Sequence, residues 1–275
     1  MNLKKSTLEI VCMDGAPHKI GIKFLADVDK ACRASAAFRA KEDATGGNAF
    51  SAASANASAR AISVPFTILD PGLGQAFAQS VETYVDTKAF AAHELITATT
   101  DGTRVYPLVI RLECVGDEDD GEGGNSLLRR THTLNDLPAH PVGGLAANQR
   151  WSQSQTTYVE LTATPAPSGR GAVTYAAHVL KQKIWVHGAS YELQEIYGID
   201  ACTPGATNSG DDDGKECVIC LSEPRTTTVL PCRHLCMCAD CAHTLRSQPS
   251  GNVCPICRNP CESLLEIKVA SSSGV

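Results

Sequence analysis

The sequence predicts a mainly β amino-terminal domain of the antiparallel sandwich type, followed by a small α+β module that is rich in cysteine. Two observations carry this prediction. Apolar and polar residues alternate with a period of two in several stretches before residue 200, which is typical of half-buried strands. Nine of the 13 cysteines then fall in the 45 residues from Cys217 to Cys261. The two patterns indicate two separately folded units.

The alternation places the strands of the first domain. The predicted strands cover residues 8–12, 20–24, 62–68, 106–112, 159–163, 173–186 and 191–196. His187-Gly188 separates the last two as a turn. Short strands joined by turns, without alternating amphipathic helices, favour an antiparallel sandwich over a parallel α/β fold.

Polar stretches divide the chain. We interpret residues 31–60, with a short helix at 31–41, and residues 114–150 as low-complexity insertions in a sandwich that spans residues 1–200. The acidic run at 117–120 lacks the ligand spacing of a calcium loop. Residues 201–214 are polar and rich in Gly and Asp, which predicts a flexible linker before a module at residues 215–269.

Composition and charge exclude several classes of protein. The chain has 275 residues and a formal net charge of −6, so it lacks the basic surface that nonspecific nucleic-acid binding needs. No apolar run approaches the roughly 18 residues of a transmembrane helix. The first residues resemble no secretory signal, and Asn2 stands where N-myristoylation requires glycine. We therefore expect a cytoplasmic protein without a transmembrane segment.

The cysteine cluster has the spacing of a metal site. An odd number of cysteines without a secretory signal argues against a disulfide framework. Eight residues of the cluster form three Cys-x2-Cys pairs and one Cys-x-His pair. These candidate ligands are Cys217, Cys220, Cys232, His234, Cys238, Cys241, Cys254 and Cys257. Eight thiolate and imidazole ligands fill two closed tetrahedral Zn²⁺ sites, so both metals would be structural.

Three further residues of the cluster need an interpretation. Using Cys236 in place of Cys238 would break the two-residue spacing to Cys241, so Cys238 is the better ligand. Cys236 and Cys261 are then packing or spare thiols. His243 follows Cys241 in a predicted short helix and is interpreted as an exposed helix residue.

The order of these ligands resembles the C3HC4 RING finger of ubiquitin ligases. That resemblance implies a cross-brace, in which the first and third pairs share one metal and the second and fourth pairs share the other. Site one would hold Cys217, Cys220, Cys238 and Cys241. Site two would hold Cys232, His234, Cys254 and Cys257.

The residues between the ligands resemble the mahogunin family of RING ligases. The matching segments are Leu230 to Cys238, Cys254 to Arg258, Val105 to Ile110, Leu180 to Lys183 and Tyr191 to Ile199. The chain departs from the family in its two insertions. It also lacks the Pro-Ser/Thr-Ala-Pro motif of animal members, and Asn2 replaces the myristoylated glycine of plant members.

The resemblance implies a RING-type E3 ubiquitin transferase that forms no covalent intermediate. It would bind a ubiquitin-charged conjugating enzyme and promote transfer of ubiquitin to a substrate lysine. Ile219, Leu245 and Pro255 match the family's contacts with the conjugating enzyme, and Arg258 matches the linchpin that joins this enzyme to ubiquitin. The alternative is a zinc-dependent adaptor without ligase activity.

The expected partners follow from this interpretation of the two domains. They are a conjugating enzyme, ubiquitin and a protein substrate that the β-rich domain recruits, with no nucleic acid. Leu265, Ile267 and Val269 alternate with Leu264, Glu266 and Lys268. This pattern predicts a short strand after the last ligand. This strand either covers the RING or pairs with a second copy in a homodimer.

Overall fold

The computed structural model describes residues 1–42, 62–90, 98–100, 103–116, 132–140, 145–165, 173–199, 215–247 and 252–267. The chain forms two compact units, Met1–Leu193 and Gln194–Val275. The acidic run at 117–120 and the predicted linker at 201–214 lie outside the described residues. Among the described residues, no helix is both long and apolar enough to cross a membrane.

The first unit is built from strands. They are β1 (Asn2–Leu3), β2 (Glu9–Met13), β3 (Ala16–Val28), β4 (Cys32–Glu42), β5 (Ile62–Leu69), β6 (Gly72–Ala78), β7 (Val85–Asp86), β8 (Ala98–Thr100), β9 (Thr103–Val115), β10 (Ser152–Pro165), β11 (Val173–Val186) and β12 (Ala189–Leu193). They pair antiparallel in two sheets. One sheet has the order β1-β3-β2, with β6 and β7 also paired to β3. The other has the order β12-β11-β10-β9-β4-β5, with β8 beside β9.

The two sheets share one apolar core. It includes Ile20, Ile22 and Phe24 of β3, and residues of the other sheet such as Phe38 and Ile110. All of these side chains are buried. Burial of the apolar face of each sheet against the other drives this arrangement. The prediction of an antiparallel sandwich is therefore confirmed.

One predicted insertion is wrong at its start. Residues 31–42 were expected to be low-complexity chain with a short helix, but Cys32–Glu42 is the strand β4, between β5 and β9. Ala36 and Phe38 face the sandwich core, whereas Ala37 and Ala40 pack with Leu145 in a second cluster. Polar residues do alternate along this strand, but most of its apolar positions hold alanine, which has a low strand propensity, so the alternation was not interpreted as a strand. The rest of that insertion, at 43–60, lies outside the described residues.

The second predicted insertion is also shorter than expected. Cys114 ends the buried part of β9, and Leu145 and Ala146 are buried parts of the fold. Within the described residues, the interval 132–140 contains one short 3-10 turn at Leu134–Asp136. Residues 117–131 and 141–144 lie outside the described part of the chain.

Charged side chains are buried on the outer face of the second sheet. Arg33 donates to Glu113 through Nε at 2.9 Å and Nη2 at 2.7 Å. Arg111 donates from Nη1 to Glu113 at 3.4 Å and to the carbonyl of Ala146 at 2.5 Å. Burial alone would raise the pKa of Glu113, but His140, Arg111 and Arg33 lower it to about 2. Glu113 is therefore a charged centre that binds β4 to β9.

The turn between β11 and β12 is as predicted. His187 has φ +50° and Gly188 has φ +78°, and Val186 pairs with Ala189 across them. Two consecutive residues with positive φ form the two-residue turn whose twist suits a hairpin. The strand that follows ends at Leu193, three residues before the predicted end at residue 196.

The second unit contains β13 (Thr227–Leu230), β14 (His234–Met237), α1 (Ala239–Ser247) and β15 (Ser263–Glu266). β13 lies between β14 and β15 in an antiparallel sheet. The predicted strand after the last ligand therefore covers the RING from within the same chain. Val269 lies outside the described residues.

Candidate metal centre

The first pair of candidate ligands lies on a tight backbone loop before β13. The N–H of Leu221 donates to the carbonyl of Cys217 at 2.9 Å, and the N–H of Cys217 donates to the carbonyl of Glu223 at 2.7 Å. The N–H of Ile219 points to the Sγ of Cys217 at 3.4 Å. Leu221 has φ +56°, which turns the chain sharply after Cys220. These bonds hold the two sulfurs on one side of the loop.

The last pair has the same local geometry. The N–H of Arg258 donates to the carbonyl of Cys254 at 2.8 Å, and the N–H of Cys254 donates to the carbonyl of Asn259 at 2.9 Å. Arg258 has φ +60° and occupies the position that Leu221 has in the first loop. We call residues 217–221 and 254–258 the first and second knuckles.

The remaining ligands come from the sheet and the helix. Cys232 lies in the turn between β13 and β14, and His234 is the first residue of β14. Cys238 stands between β14 and α1, and Cys241 lies in the first turn of α1. The N–H of Ala242 donates to the carbonyl of Cys238 at 3.1 Å, which ties the helix start to the ligand.

The structure brings the eight predicted ligands together in two clusters of four. One holds Cys217, Cys220, Cys238 and Cys241; the other holds Cys232, His234, Cys254 and Cys257. Within each cluster, all ligand atoms lie within 4.8 Å of one another. These are the two groups that the RING resemblance implies.

The distances fit tetrahedral zinc. Zn–S bonds of about 2.3 Å put two sulfurs of a tetrahedron about 3.8 Å apart. The Sγ atoms of Cys220 and Cys238 are 4.0 Å apart, and the Sγ of Cys254 is 3.7 Å from Nδ1 of His234. Sulfur and imidazole ligands select zinc over the hard cations, and four ligands leave no open position for a substrate. The clusters are compatible with two structural zinc ions.

The electrostatics of site one also favour a bound cation. Burial alone would raise the pKa of Cys217, but N–H groups of Cys220, Cys238 and Ile219 lower it to about 6. The pKa of Cys241, by contrast, is raised to about 12, first of all by its hydrogen bond with Cys238. Four adjacent thiols therefore do not all ionise on their own, and a divalent cation supplies the charge that makes this possible.

The other residues of the module lie outside both clusters. Cys236 and Cys261 are buried in the RING core, and burial raises the pKa of Cys236 to about 12. His243 is exposed on α1, as predicted. Neither thiol belongs to a metal-binding cluster among the described residues.

The predicted contact residues differ in exposure. Ile219 is 46% exposed on the first knuckle, and Pro255 and Arg258 are exposed on the second. Leu245 of α1 is half-buried and packs against the RING core. Exposure of Ile219 removes the simplest alternative, that it serves only to fill the core.

Tyr197, in the segment before the RING ligands, makes a contact with the RING that the sequence did not predict. Tyr197 makes a bridge to His234, and its ring lies 5.6 Å from the imidazole ring. We had assigned this tyrosine to the β-rich domain, but the units divide after Leu193. The signal was present, since the stretch from Tyr191 to Ile199 is one of those that resemble the family.

Two known families match consecutive regions of the chain. The family described as RNF157-like N-terminal domain matches residues 1–133. The family described as zinc finger, C3HC4 type (RING finger), matches residues 213–264. No solved structure matches the chain at a significant level.

Curated relatives with longer chains are similar to this chain. "Probable E3 ubiquitin-protein ligase LOG2" of Arabidopsis thaliana is 38% identical over 278 positions, covering 100% of this chain and 62% of that protein. "Probable E3 ubiquitin-protein ligase LUL1" of the same plant is 36% identical, covering 97% and 65%. "E3 ubiquitin-protein ligase MGRN1" of Homo sapiens is 50% identical over 99 residues, covering 34% and 18%.

The chain spans less than two thirds of the length of these relatives. Their similarity extends along nearly the whole of this chain in the plant proteins, across both compact units. The two family matches follow one another in the order that the resemblance implies, and both zinc clusters lie within the RING match. The chain thus combines an RNF157-like N-terminal domain with a C3HC4 RING finger, and its similarity to LOG2, LUL1 and MGRN1 supports the mahogunin family.

Proposed function

We propose that this chain is a RING-type ubiquitin ligase, which binds a ubiquitin-charged conjugating enzyme and promotes transfer to a substrate lysine. The observation that carries the proposal is an apolar surface on the two zinc-held knuckles. Exposed apolar side chains beside a rigid metal site favour a docking role over a purely structural one. The names of the relatives support the same activity.

The docking surface is assigned to Ile219, Leu245 and Pro255. Ile219 and Pro255 stand on the first and second knuckles, where backbone hydrogen bonds and zinc fix their positions. Ile256, 51% exposed, adds apolar area to the second knuckle. Leu245 supports this surface from α1, since it is half-buried against the core. A rigid surface loses little entropy on binding, which favours affinity.

Arg258 is assigned the linchpin role. Its backbone is fixed by the bond to Cys254, and its side chain is exposed. A guanidinium offers several N–H donors in one plane, so it can bridge carbonyl oxygens of two bound proteins at once. In this role Arg258 orients the charged conjugating enzyme and ubiquitin, and it makes no covalent bond.

The ligase in this proposal acts by placement. Holding the thioester and the substrate lysine together makes their reaction effectively unimolecular, which lowers the entropic part of the barrier.

The β-rich domain is proposed to recruit the protein substrate. We also propose a reducing, cytoplasmic setting, in which thiolates remain available as zinc ligands. A homodimer is also proposed, although β15 already pairs with β13 within one chain.

The first experiment is a self-ubiquitination assay of the full chain with a panel of conjugating enzymes. We expect transfer by the wild type and its loss in Ile219→Ala, with two zinc ions retained per chain. Leu265→Ala is the matched control, since Leu265 is 45% exposed but lies on β15. Equal loss in both variants would contradict the assigned surface. Transfer with none of the enzymes would favour the adaptor alternative.

The second experiment separates binding from orientation. Arg258→Ala should bind a charged conjugating enzyme nearly as the wild type does, but discharge it more slowly in a single-turnover assay. Arg258→Lys keeps the charge and loses the planar fork, so it should resemble the alanine variant. Recovery of full discharge by lysine would show that charge alone suffices and would refute the linchpin geometry.

A further inference from the structure

We infer that segment 194–198 is part of the RING, and that Tyr197 in it is a positioning residue for the zinc ligand His234. The RING family match begins at residue 213, so this segment lies outside it. The inference concerns how the RING is built, and it does not depend on ubiquitin transfer.

The backbone of Tyr197 is bonded to both neighbours of the ligand. Its N–H donates to the carbonyl of Arg233 at 2.9 Å, and the N–H of Leu235 donates to its carbonyl at 2.9 Å. Together these bonds form a parallel bridge between Tyr197 and His234. The segment thus extends the RING sheet at β14, on the side opposite to β13. His234 is held from two directions, by β13 and by Tyr197.

Side chains reinforce the same contact. The Tyr197 ring lies 5.6 Å from the His234 ring, at an angle of 39° between planes. The guanidinium of Arg233 lies 5.3 Å from the centre of the Tyr197 ring, and its Nη1 donates to Oε1 of Gln194 at 2.5 Å. A cation over an aromatic face is attracted to it. Arg233 therefore binds two residues of the segment, next to the ligand.

The close approach also depends on Gly198. This residue has φ +94°, a conformation that side chains disfavour. A Cβ there would lie 3.2 Å from the carbonyl oxygen of Leu235, so the neighbouring backbone would have to shift. Glycine at this position lets the chain leave the β14 edge immediately after the bridge.

A zinc-bound histidine depends on the groups around it. Neighbours that fix the ring plane hold the ligand nitrogen toward the metal, and loss of such a neighbour commonly weakens metal binding by about 10–100-fold. In this chain, Nδ1 of His234 lies beside Cys254 in site two. Tyr197 packs against the same imidazole. Its loss should weaken site two and spare site one.

The contact also shows where the RING begins along the chain. Gln194 and Tyr197 both bind Arg233. The described segment 194–198 therefore belongs to the RING, although the RING family match begins only at residue 213.

The test uses the whole 275-residue chain loaded with ¹¹³Cd, whose resonance distinguishes a four-thiolate site from a site with three thiolates and one imidazole. We expect Tyr197→Ala to release metal about 10–100-fold more readily from site two, with site one unchanged. Tyr197→Phe should behave as the wild type, because the contact is made by the ring. Tyr191→Ala is the control, since Tyr191 is similarly exposed but lies on β12.

General loss of structure would give a different result. If Tyr197→Ala weakened both sites equally, its effect would be on overall stability, and the positioning role would be refuted. Unchanged metal release from both sites would overturn the role as well. Neither readout involves a conjugating enzyme, so failure of the ligase proposal would leave this test intact.

Discussion

The two units of this chain are stabilised by different chemistry. The sandwich has an apolar core of aliphatic and aromatic side chains between its sheets. Among the described residues, the apolar cluster at the centre of the RING contains eight buried residues, of which five are cysteines: Cys217, Cys236, Cys238, Cys254 and Cys261. Three of these five belong to the zinc clusters. One unit is therefore held by burial of hydrocarbon and the other mainly by metal, so each should fail under a treatment that spares the other.

Removal of zinc should produce the largest difference between the units. Structural zinc contributes roughly 10–16 kcal/mol per site in small metal-folded peptides, more than the whole stability of most domains. With a strong chelator, we expect the RING to unfold while the sandwich keeps its strands. Hydrogen exchange read by mass spectrometry would show lost protection in β13 and β14 and unchanged protection in β3 and β9.

Readdition of zinc is the control for this experiment. About two equivalents per chain should restore protection of the RING. If the sandwich lost protection together with the RING, the two units would form one cooperative structure, and the comparison would be wrong.

Glu113→Gln should have the complementary effect. It removes the carboxylate that Arg33 and Arg111 share, and it leaves two guanidinium groups buried without a counter-charge. Breaking a buried ion pair in this way costs about 3–5 kcal/mol. We expect the melting temperature of the sandwich to fall, with two zinc ions still bound. Glu9→Gln is the control, because the exposed pair of Glu9 with Lys23 is worth at most about 1 kcal/mol.

Acid should destabilise the two units through different groups. Protons compete with zinc for thiolate and imidazole, so the RING should lose its metal first. The folded pKa of Glu113 is lowered from 4.5 to about 2, so its contribution, about 3 kcal/mol, is fully present above pH 4.5. That contribution is lost as the pH falls from 4.5 to 2. We therefore compare the free energy of unfolding in urea between the wild type and Glu113→Gln. The difference should shrink as the pH falls through this interval and stay constant above it.

The sequence was informative where local spacing decides the structure. All eight zinc ligands follow from the two-residue and one-residue spacings, because a knuckle is a local loop. The hairpin turn at His187-Gly188 is local too. The pairing of the knuckles into clusters depends on contacts across the RING, and only the family resemblance supplied it.

The errors arose where neighbours in space decide the structure. Ala36 and Ala37 are small and gave no strand signal, yet both are buried because each face of β4 is covered. Arg111 is polar in sequence, but it lies in the interior beside Glu113 and Thr156. Tyr197 continued a predicted strand, whereas its partner His234 is 37 positions later in the sequence. None of these partners is adjacent along the chain.

The smallest expected effect comes from a cysteine that is buried but holds no metal. Cys236 lies in the RING core between His234 and Cys238, outside both clusters. Cys236→Ala removes one buried atom, so it should cost about 1 kcal/mol and leave two zinc ions bound. Cys238→Ala should lose the ion of site one. Metal analysis by mass spectrometry compares the two variants directly, and a zinc ion missing from Cys236→Ala would reverse the choice between these two cysteines.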